Sequence, residues 1–160
     1  MLSVKTLSFR QIQDSDLPFL ERLYASTRQE ELATIVDWSA EMKQAFLQQQ
    51  FQAQHAFYST QYKAPDFRLI LHEEQPIGRL YLDRRRDEIR IVDISLLPEY
   101  RRKGLGEQLL REVMAEAASS GRAVRIHVEI FNPARRLYNR LGFQQINDAG
   151  VYHLLEWKAS

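Results

Sequence analysis

The segment Ile89–Gln108 reads I-R-I-V-D-I-S-L-L-P-E-Y-R-R-K-G-L-G-E-Q and is the most informative stretch of the chain. Its first part, Ile89–Leu97, is rich in aliphatic and β-branched side chains and predicts a β-strand. After a basic turn, the apolar residues from Gly104 onward recur with helical spacing. A strand that passes through a short turn directly into a helix directs several backbone N–H groups to one place. The segment therefore predicts an α/β unit with an anion site at the start of its helix.

The turn itself has the composition of a phosphate-binding loop. Gly104 and Gly106 carry no side chain that would keep an anion away from the backbone. The positive end of the helix dipole adds to the field of three cationic side chains, Arg101, Arg102 and Lys103. A tight structural connection is the simpler interpretation of two glycines. A dinucleotide fingerprint does not fit, because a leucine replaces its third glycine, and no Gly-Lys-Ser/Thr of a Walker loop occurs.

Strand and helix patterns alternate around this segment. Strands are predicted over Leu2–Ile12, Phe67–His72, Ile77–Leu82, Ile89–Leu97, Val124–Ile130 and Val151–Trp157. Helices are predicted from Asp14 over about three turns, from the cap Ser39 to Tyr58, from Gly104 to Gly121, and over Pro133–Leu141. No linker or internal repeat interrupts this order. The chain is therefore predicted to form one α/β domain over residues 1–160.

The composition is that of an ordinary soluble domain. The chain has 160 residues, of which 44% are hydrophobic, and a formal net charge of +1, which argues against disorder and against a general polyanion binder. The charge is nevertheless uneven: residues 1–80 carry 8 basic and 10 acidic side chains, and residues 81–160 carry 14 and 11. The basic surplus lies in the half that contains the glycine turn.

The chain contains no cysteine. This excludes disulfides, thiolate nucleophiles, iron–sulfur clusters and zinc sites with sulfur ligands. The histidines lack metal-ligand spacing, so no metal is expected. No segment has the roughly 18 to 20 consecutive apolar residues of a membrane helix, and residues 1–10 lack the apolar core of a secretion signal. We therefore expect a cytoplasmic protein that binds neither nucleic acid nor a membrane.

Two motifs resemble the signatures of the GNAT superfamily of N-acetyltransferases. The sequence R-R-K-G-L-G at residues 101–106 is similar to the R/Q-x-x-G-x-G/A signature for acetyl-CoA, and N-P-A-R-R-L-Y-N-R-L-G-F at residues 132–143 is similar to the second signature. The resemblance covers residues 85–145 and extends more loosely upstream. It implies a mixed, mostly antiparallel sheet flanked by helices and splayed open between Ile89–Leu97 and Val124–Ile130, with acetyl-CoA in the opening.

The resemblance also implies which residues hold the cofactor. Backbone groups of Ile94, Ser95 and Leu96 would hydrogen-bond the pantetheine arm. Tyr138 stands at the usual position of the residue that protonates the departing CoA thiolate, although a packing role in a short helix is the alternative. The family's asparagine lies seven residues before this tyrosine, whereas Asn132 lies six before it and is both a cofactor candidate and a helix cap. The pyrophosphate would bind backbone amides of Arg101, Arg102, Lys103, Gly104, Leu105 and Gly106.

The acceptor side is less well marked. The glutamate that acts as a base in some relatives corresponds to Arg90, which cannot accept a proton. Other polar residues lie on the two strands that would splay and are candidates to contact an amine or relay its proton: Asp93, Ser95, His127 and Glu129.

The segment between the first two helices and the turn after Phe143 are expected to build the acceptor pocket. Glu30 and Glu31 would attract a cationic amine, and Trp38 would offer it an aromatic face. A solvated helix end is the simpler interpretation of the two glutamates.

The sequence thus predicts an acetyl-CoA-dependent N-acetyltransferase that transfers the acetyl group directly to a primary amine of a small molecule. The absence of cysteine disfavours an acylated thiol as intermediate. Two alternatives stay open: acetylation of a protein lysine or N-terminus, and a CoA-binding sensor without turnover. An exposed edge strand at Val151–Trp157 would allow a homodimer.

Overall fold

One mixed β-sheet runs through the part of the chain that the computed structural model describes, residues 2–62 and 65–160. Its seven strands are Leu7–Gln11 (β1), Pro65–His72 (β2), Gln75–Arg84 (β3), Glu88–Leu96 (β4), Ala123–Glu129 (β5), Gln144–Ala149 (β6) and Tyr152–Trp157 (β7). The helices are Leu17–Ala33 (α1), Ala40–Gln61 (α2), Leu105–Ser119 (α3) and Arg135–Leu141 (α4). The strand order is β1-β2-β3-β4-β5-β7-β6, so the sheet is open. This confirms the predicted single α/β domain with a mixed sheet.

The sheet parts in its middle. All neighbouring strands are antiparallel except β4 and β5, which pair in parallel from Glu88↔Ala123 to Ile91↔Ile126. Beyond that point β4 follows β3 as far as Leu96, and β5 follows β7 as far as Glu129. The predicted splay between these two strands is therefore confirmed.

Helices cover both faces of the sheet. Successive residues of a strand point to opposite faces, so the strands supply apolar side chains to a cluster on each face. On one face, α3 and α4 bury Leu109, Val113 and Leu141 against the sheet. On the other, α1 and α2 bury a smaller cluster that includes Leu20, Phe51 and Leu69. The predicted apolar rows of α3 are all buried: Leu105, Leu109, Leu110, Val113, Met114 and Ala117. Within the described residues, no helix combines the length and the apolar character needed to cross a membrane.

The first two predicted elements have different bounds. The strand predicted over Leu2–Ile12 begins at Leu7, after a 3-10 turn. The backbone N–H of Val4 in that turn donates to Gln108 of α3 at 2.8 Å, a contact that no local pattern shows. Helix α1 has 17 residues instead of about three turns. Its polar second half lacks an apolar stripe but is held by Arg28, which donates to the Tyr24 hydroxyl one turn earlier.

The C-terminal part differs more. Helix α4 begins at Arg135 and not at Pro133. Strand β6 was not predicted, because its sequence Q-Q-I-N-D-A is mostly polar. This strand forms the sheet edge, and β7 lies between β5 and β6. The prediction that Val151–Trp157 is an exposed edge strand is therefore wrong, and it gives no reason to expect a homodimer.

Candidate active site

The parting of β4 and β5 leaves a strand segment with a partner on one side only. From Asp93 to Leu96, β4 is bonded to β3, while its other side faces the opening. Backbone N–H and C=O groups alternate between the two sides of a strand, so some of those in Ile94, Ser95 and Leu96 have no strand partner. Val92 is a bulge residue, since Asp93 pairs with Tyr81 while Ile91 pairs with Leu82. The bulge adds local twist at the point where the strands separate.

Strand β3 approaches this segment closely at Gly78. A Cβ atom at Gly78 would lie 2.3 Å from the backbone oxygen of Ser95 and 3.2 Å from the Cα of Leu96. Both contacts are to backbone, which cannot move aside as a flexible side chain would. The glycine therefore sets the distance between β3 and the segment of β4 whose other side has no strand partner.

The turn before α3 presents several N–H groups without a helical partner, but the predicted donor Arg101 is not free, because its N–H donates to the carbonyl of Pro98 at 3.2 Å. Arg102 has φ 59° and Gly104 has φ 81°, so both residues are left-handed. Such a backbone forms a concave cluster of N–H groups. The first helical bond runs from the N–H of Gln108 to the carbonyl of Gly104, which leaves the preceding N–H groups without a helical partner. A Cβ atom at Gly106 would have nothing within 4 Å.

The basic side chains of this turn have different surroundings. The Arg101 guanidinium donates to the carbonyl of Leu96 at 2.8 Å and to the hydroxyl of Ser26 in α1 at 3.1 Å. It thereby ties the end of β4 to α1, which the sequence did not indicate. Arg102 and Lys103 are exposed and border an open cleft of about 790 Å³ that is also lined by Leu2, Thr6, His72 and Glu73.

Tyr138 lies in α4 on the other side of the opening. Its side chain is 4% exposed, and its ring packs edge-on against Phe143 with centroids 5.5 Å apart. Burial raises the pKa of its phenol, and the negative charge of Asp93 raises it further. The phenol therefore stays protonated at neutral pH, and it lies close enough to Asp93 to sense its charge.

Asp93 is the centre of a polar cluster on the sheet face under α2. Its carboxylate accepts a hydrogen bond from the Ser95 hydroxyl at 2.7 Å and pairs with Arg79 of β3. Arg79 also donates to Gln54 of α2 at 2.7 Å. Arg79 was not predicted as a site residue. A single charged residue inside the apolar run I-G-R-L-Y-L at 77–82 was the signal that could have indicated Arg79.

His127 and Glu129, the other strand residues predicted to contact the amine or relay its proton, lie on β5. Arg90 approaches His127, with 3.4 Å between Nη1 and Nδ1. Partial desolvation and the charge of Arg90 lower the pKa of His127, so its ring is neutral at pH 7. Glu129 is exposed at the end of β5.

The acceptor candidates from the first two helices are placed differently from expectation. Glu30 and Glu31 lie inside α1 and not in a connecting segment; both are exposed, and Glu31 pairs with Arg28. Trp38 does precede α2 and packs edge-on against Phe46, with centroids 5.4 Å apart. The simpler interpretation of the two glutamates, as part of a solvated helix end, agrees with their exposure.

Asn132 lies in the turn before α4 and is not the cap of this helix, because the N-cap residue is Ala134. Its side-chain oxygen accepts a hydrogen bond from the N–H of Ala134 at 2.9 Å. Its amide nitrogen is thus the part that stays available for a ligand. Within residues 2–62 and 65–160, no group of three or more histidine and carboxylate side chains is arranged to hold a metal ion.

The sequence and the fold of this chain are similar to those of known proteins. Residues 20–143 match the model of the acetyltransferase (GNAT) family. The PaiA N-acetyltransferase of Thermoplasma acidophilum, solved in complex with coenzyme A, is similar with a TM-score of 0.71 and 19% identity over 96% of this chain and 99% of that chain. Ard1 of Thermoplasma volcanium is similar with a TM-score of 0.60 and 16% identity, over 97% of this chain and 99% of that chain. NAA60 of Arabidopsis thaliana, solved in complex with a bisubstrate analogue, is similar with a TM-score of 0.58 and 21% identity, over 96% of this chain and 98% of that chain.

Proposed function

The chain belongs to the acetyltransferase (GNAT) family, and on this premise we propose that it transfers the acetyl group of acetyl-CoA directly to the primary amine of a small molecule. Acetyl-CoA, when bound, supplies an activated acetyl group on a thioester. Two features of this chain would bind the two ends of acetyl-CoA, the pantetheine arm and the pyrophosphate. The unpaired side of β4 at Ile94, Ser95 and Leu96 would bond the amides of the pantetheine arm, and the turn at residues 101–106 would bond the pyrophosphate.

The observation that carries this proposal is the left-handed backbone of the turn before α3. Arg102 has φ 59° and Gly104 has φ 81°, and this conformation gathers N–H groups that the helix does not use. A residue with a Cβ atom is strained in this region, whereas glycine is not. An anion bound to these N–H groups explains why the chain adopts this conformation directly before a helix.

Replacing Gly106 with glutamate should weaken binding without weakening the fold. A side chain at this position has open space around it, and an acidic residue is favourable in the first turn of a helix. Its carboxylate would compete with the pyrophosphate for the N–H groups, so we expect affinity for CoA to fall about tenfold or more. Gly106→Ala is the control, because the signature allows alanine there, and its affinity should be unchanged. Thermal unfolding with and without CoA measures both effects, and an unchanged affinity of Gly106→Glu would contradict the assignment of the pyrophosphate site.

Chemistry at the opening requires a proton for the leaving sulfur. As the amine nitrogen bonds to the acetyl carbon and the carbon–sulfur bond breaks, the phenol of Tyr138 would donate its proton to the sulfur. The proton that the amine loses would reach solvent or the polar groups near Asp93, and the phenol would then recover a proton from water. The chain has no cysteine, which agrees with a direct transfer to the amine.

A slender amine fits the acceptor side best. The Asp93 carboxylate is only 16% exposed, and Gln54 and Tyr58 of α2 lie over this part of the sheet. A branched or folded acceptor would need this helix to move. Acetylation of a peptide is a second candidate function, favoured by apolar side chains that are exposed after β5, in the β6–β7 turn and at the start of β7: Phe131, Val151 and Tyr152.

An acceptor screen tests the proposed function. The purified protein would be mixed with acetyl-CoA and with polyamines, amino acids, aminoglycosides, peptides with a free N-terminus, and lysine peptides with a blocked N-terminus. We expect thiol release above the amine-free control with at least one small amine, and one added acetyl group in the mass of that amine. Release with peptides alone would support the second candidate. Stabilisation by CoA without any thiol release would indicate a sensor.

A further inference from the structure

A buried cation lies in the middle of β3, under α2. The side chain of Arg79 is 3% exposed. Its Nη2 donates to Gln54 at 2.7 Å and to the carboxylate of Asp93. Two aromatic rings flank the guanidinium, whose central carbon lies 4.7 Å from the ring centroid of Tyr81 and 6.0 Å from that of Tyr58.

The hydrogen bonding of this cation is incomplete. Among the described residues, neither Nε of Arg79 nor the hydroxyl of Tyr81 has a well-aligned hydrogen-bond partner, and both atoms are buried. A buried charge with an unpaired donor costs stability, and apolar residues of similar volume often replace such ion pairs without loss. Folding stability is therefore a poor explanation for an arginine at this position, and a role in the site explains it better.

The partner of this cation stands where the sheet parts. Asp93 lies two residues beyond Ile91, the last residue of β4 that pairs with β5. One carboxylate oxygen accepts from Ser95 and the other from Arg79. Each oxygen has a second lone pair, and the side chain is partly exposed. The carboxylate can therefore accept another hydrogen bond from a donor in the opening.

The charge state of an acceptor amine decides whether it can react. A primary alkylamine with a lysine-like pKa is an ammonium ion at pH 7 and has no lone pair for attack until it loses a proton. A carboxylate alone would stabilise the ammonium form, whereas a cation beside the carboxylate opposes this effect. The pair of Arg79 and Asp93 combines a hydrogen-bond acceptor with little net charge.

We propose, building on the function proposed above, that Arg79 is a positioning residue that fixes the Asp93 carboxylate at the opening and cancels its charge. Asp93 then orients an uncharged amine through a hydrogen bond instead of holding an ammonium ion. Arg79 itself does not touch the amine, because it lies on β3, on the side of β4 away from the opening, and its side chain is only 3% exposed.

The phenols that sense the charge of this carboxylate are themselves uncharged at neutral pH. Burial raises the pKa of three of them, on α2, β3 and α4, and Asp93 raises it further: Tyr58, Tyr81 and Tyr138. Tyr152 on β7 and His127 on β5 are uncharged as well. Of the charged side chains on neighbouring elements, Arg28 pairs with Glu31 on α1 and Arg90 pairs with Glu88 on β4. Arg79 is the cation that pairs with Asp93.

The pH dependence of kcat tests this proposal, because it reports groups of the complex with bound amine. With Arg79→Met, we expect the limb that rises with pH to move to higher pH by about one unit or more. At pH 7 kcat would then fall about tenfold, and the difference would close at high pH. With Asp93→Asn, which leaves the cation alone, the limb should move to lower pH. The double variant should return close to the unmodified chain.

Arg84→Met is the matched control. Arg84 lies on the same strand and is also ion-paired, but its partners Asp66 and Glu116 lie outside the site. We expect its kcat limb to stay in place, and we expect affinity for CoA to be unchanged in all four variants. A limb that stays in place for Arg79→Met, or a loss of kcat that is equal at every pH, would overturn the proposal. If Arg79→Met does not fold, the shift of Asp93→Asn to lower pH supports it, and no such shift overturns it.

The two proposals fail in distinguishable ways. If the unmodified chain releases no thiol with any amine, the proposed function fails and the role of Arg79 falls with it. If the unmodified chain is active and its variants show no opposed shifts of the limb, only the role of Arg79 is wrong.

Discussion

Replacing Tyr138 with phenylalanine is expected to lower kcat on the order of a hundredfold, the lower end of what a positioned general acid contributes. The substitution removes one hydroxyl and keeps the ring that packs against Phe143. Folding and affinity for CoA should therefore change little. Because burial and Asp93 both raise the pKa of Tyr138, its phenol is protonated throughout the range from about pH 6 to 9. The loss should accordingly be the same at every pH in that range.

Tyr62→Phe is the control for this experiment. Tyr62 follows α2, and its ring contacts Tyr58 and Phe67 away from the opening. Its hydroxyl has no part in the proposed chemistry, so kcat should be unchanged. Steady-state kinetics across the pH range measures both variants. If Tyr138→Phe turns over as fast as the unmodified chain, Tyr138 has a packing role only.

Replacing Gly78 with alanine is expected to damage both the fold and the cofactor side of the site. The new methyl group would lie 2.3 Å from the backbone oxygen of Ser95, so β3 and β4 must move apart. Such overpacking typically costs about 1–3 kcal/mol. The displaced part of β4 is the segment proposed to bond pantetheine, so we expect affinity for CoA to fall by about tenfold or more. Thermal unfolding and a CoA titration measure the two losses.

Gly121→Ala separates the two effects. Gly121 has φ +68° just after α3, and a Cβ there would have open space around it. Backbone strain should cost about 1–2 kcal/mol, which is comparable to the loss at Gly78, but the site is remote from the opening. Affinity for CoA should be unchanged. Equal affinities for CoA in the two variants would contradict the role given to the unpaired segment of β4.

Local patterns in the sequence were sufficient to predict the elements that frame the cofactor side. The alternation of Ile89 and Ile91 and the helical rows after Gly104 come from residues near each other in the chain, so they are visible without a structure. The order of strand, basic turn and helix also predicted the free N–H groups, because these arise from the start of any helix. The parting of the sheet came from the family resemblance alone, since no local pattern encodes it.

Contacts between distant residues account for what the sequence did not predict. The ion pair of Arg79 and Asp93 joins two strands, and Gln54 reaches it from a helix far earlier in the chain. The tie from Arg101 to Ser26 spans an even longer stretch of chain. Strand β6 lacks an apolar pattern because it is an edge with one neighbour. In each case, tertiary contacts decide the role of a residue, and the local sequence indicates either a different role or no role.

The gap between β4 and β5 has a further consequence for association with other chains. Unpaired strand edges normally expose backbone groups along the outside of a sheet, where they attract strands of other molecules and favour aggregation. Here two such edges face each other inside one sheet, and α3 and α4 bury the adjoining face. A foreign strand with its own side chains has little room to enter, whereas a thin extended molecule with a few amides can fill the place of the missing strand. The fold thus limits aggregation at the position where we propose that acetyl-CoA binds.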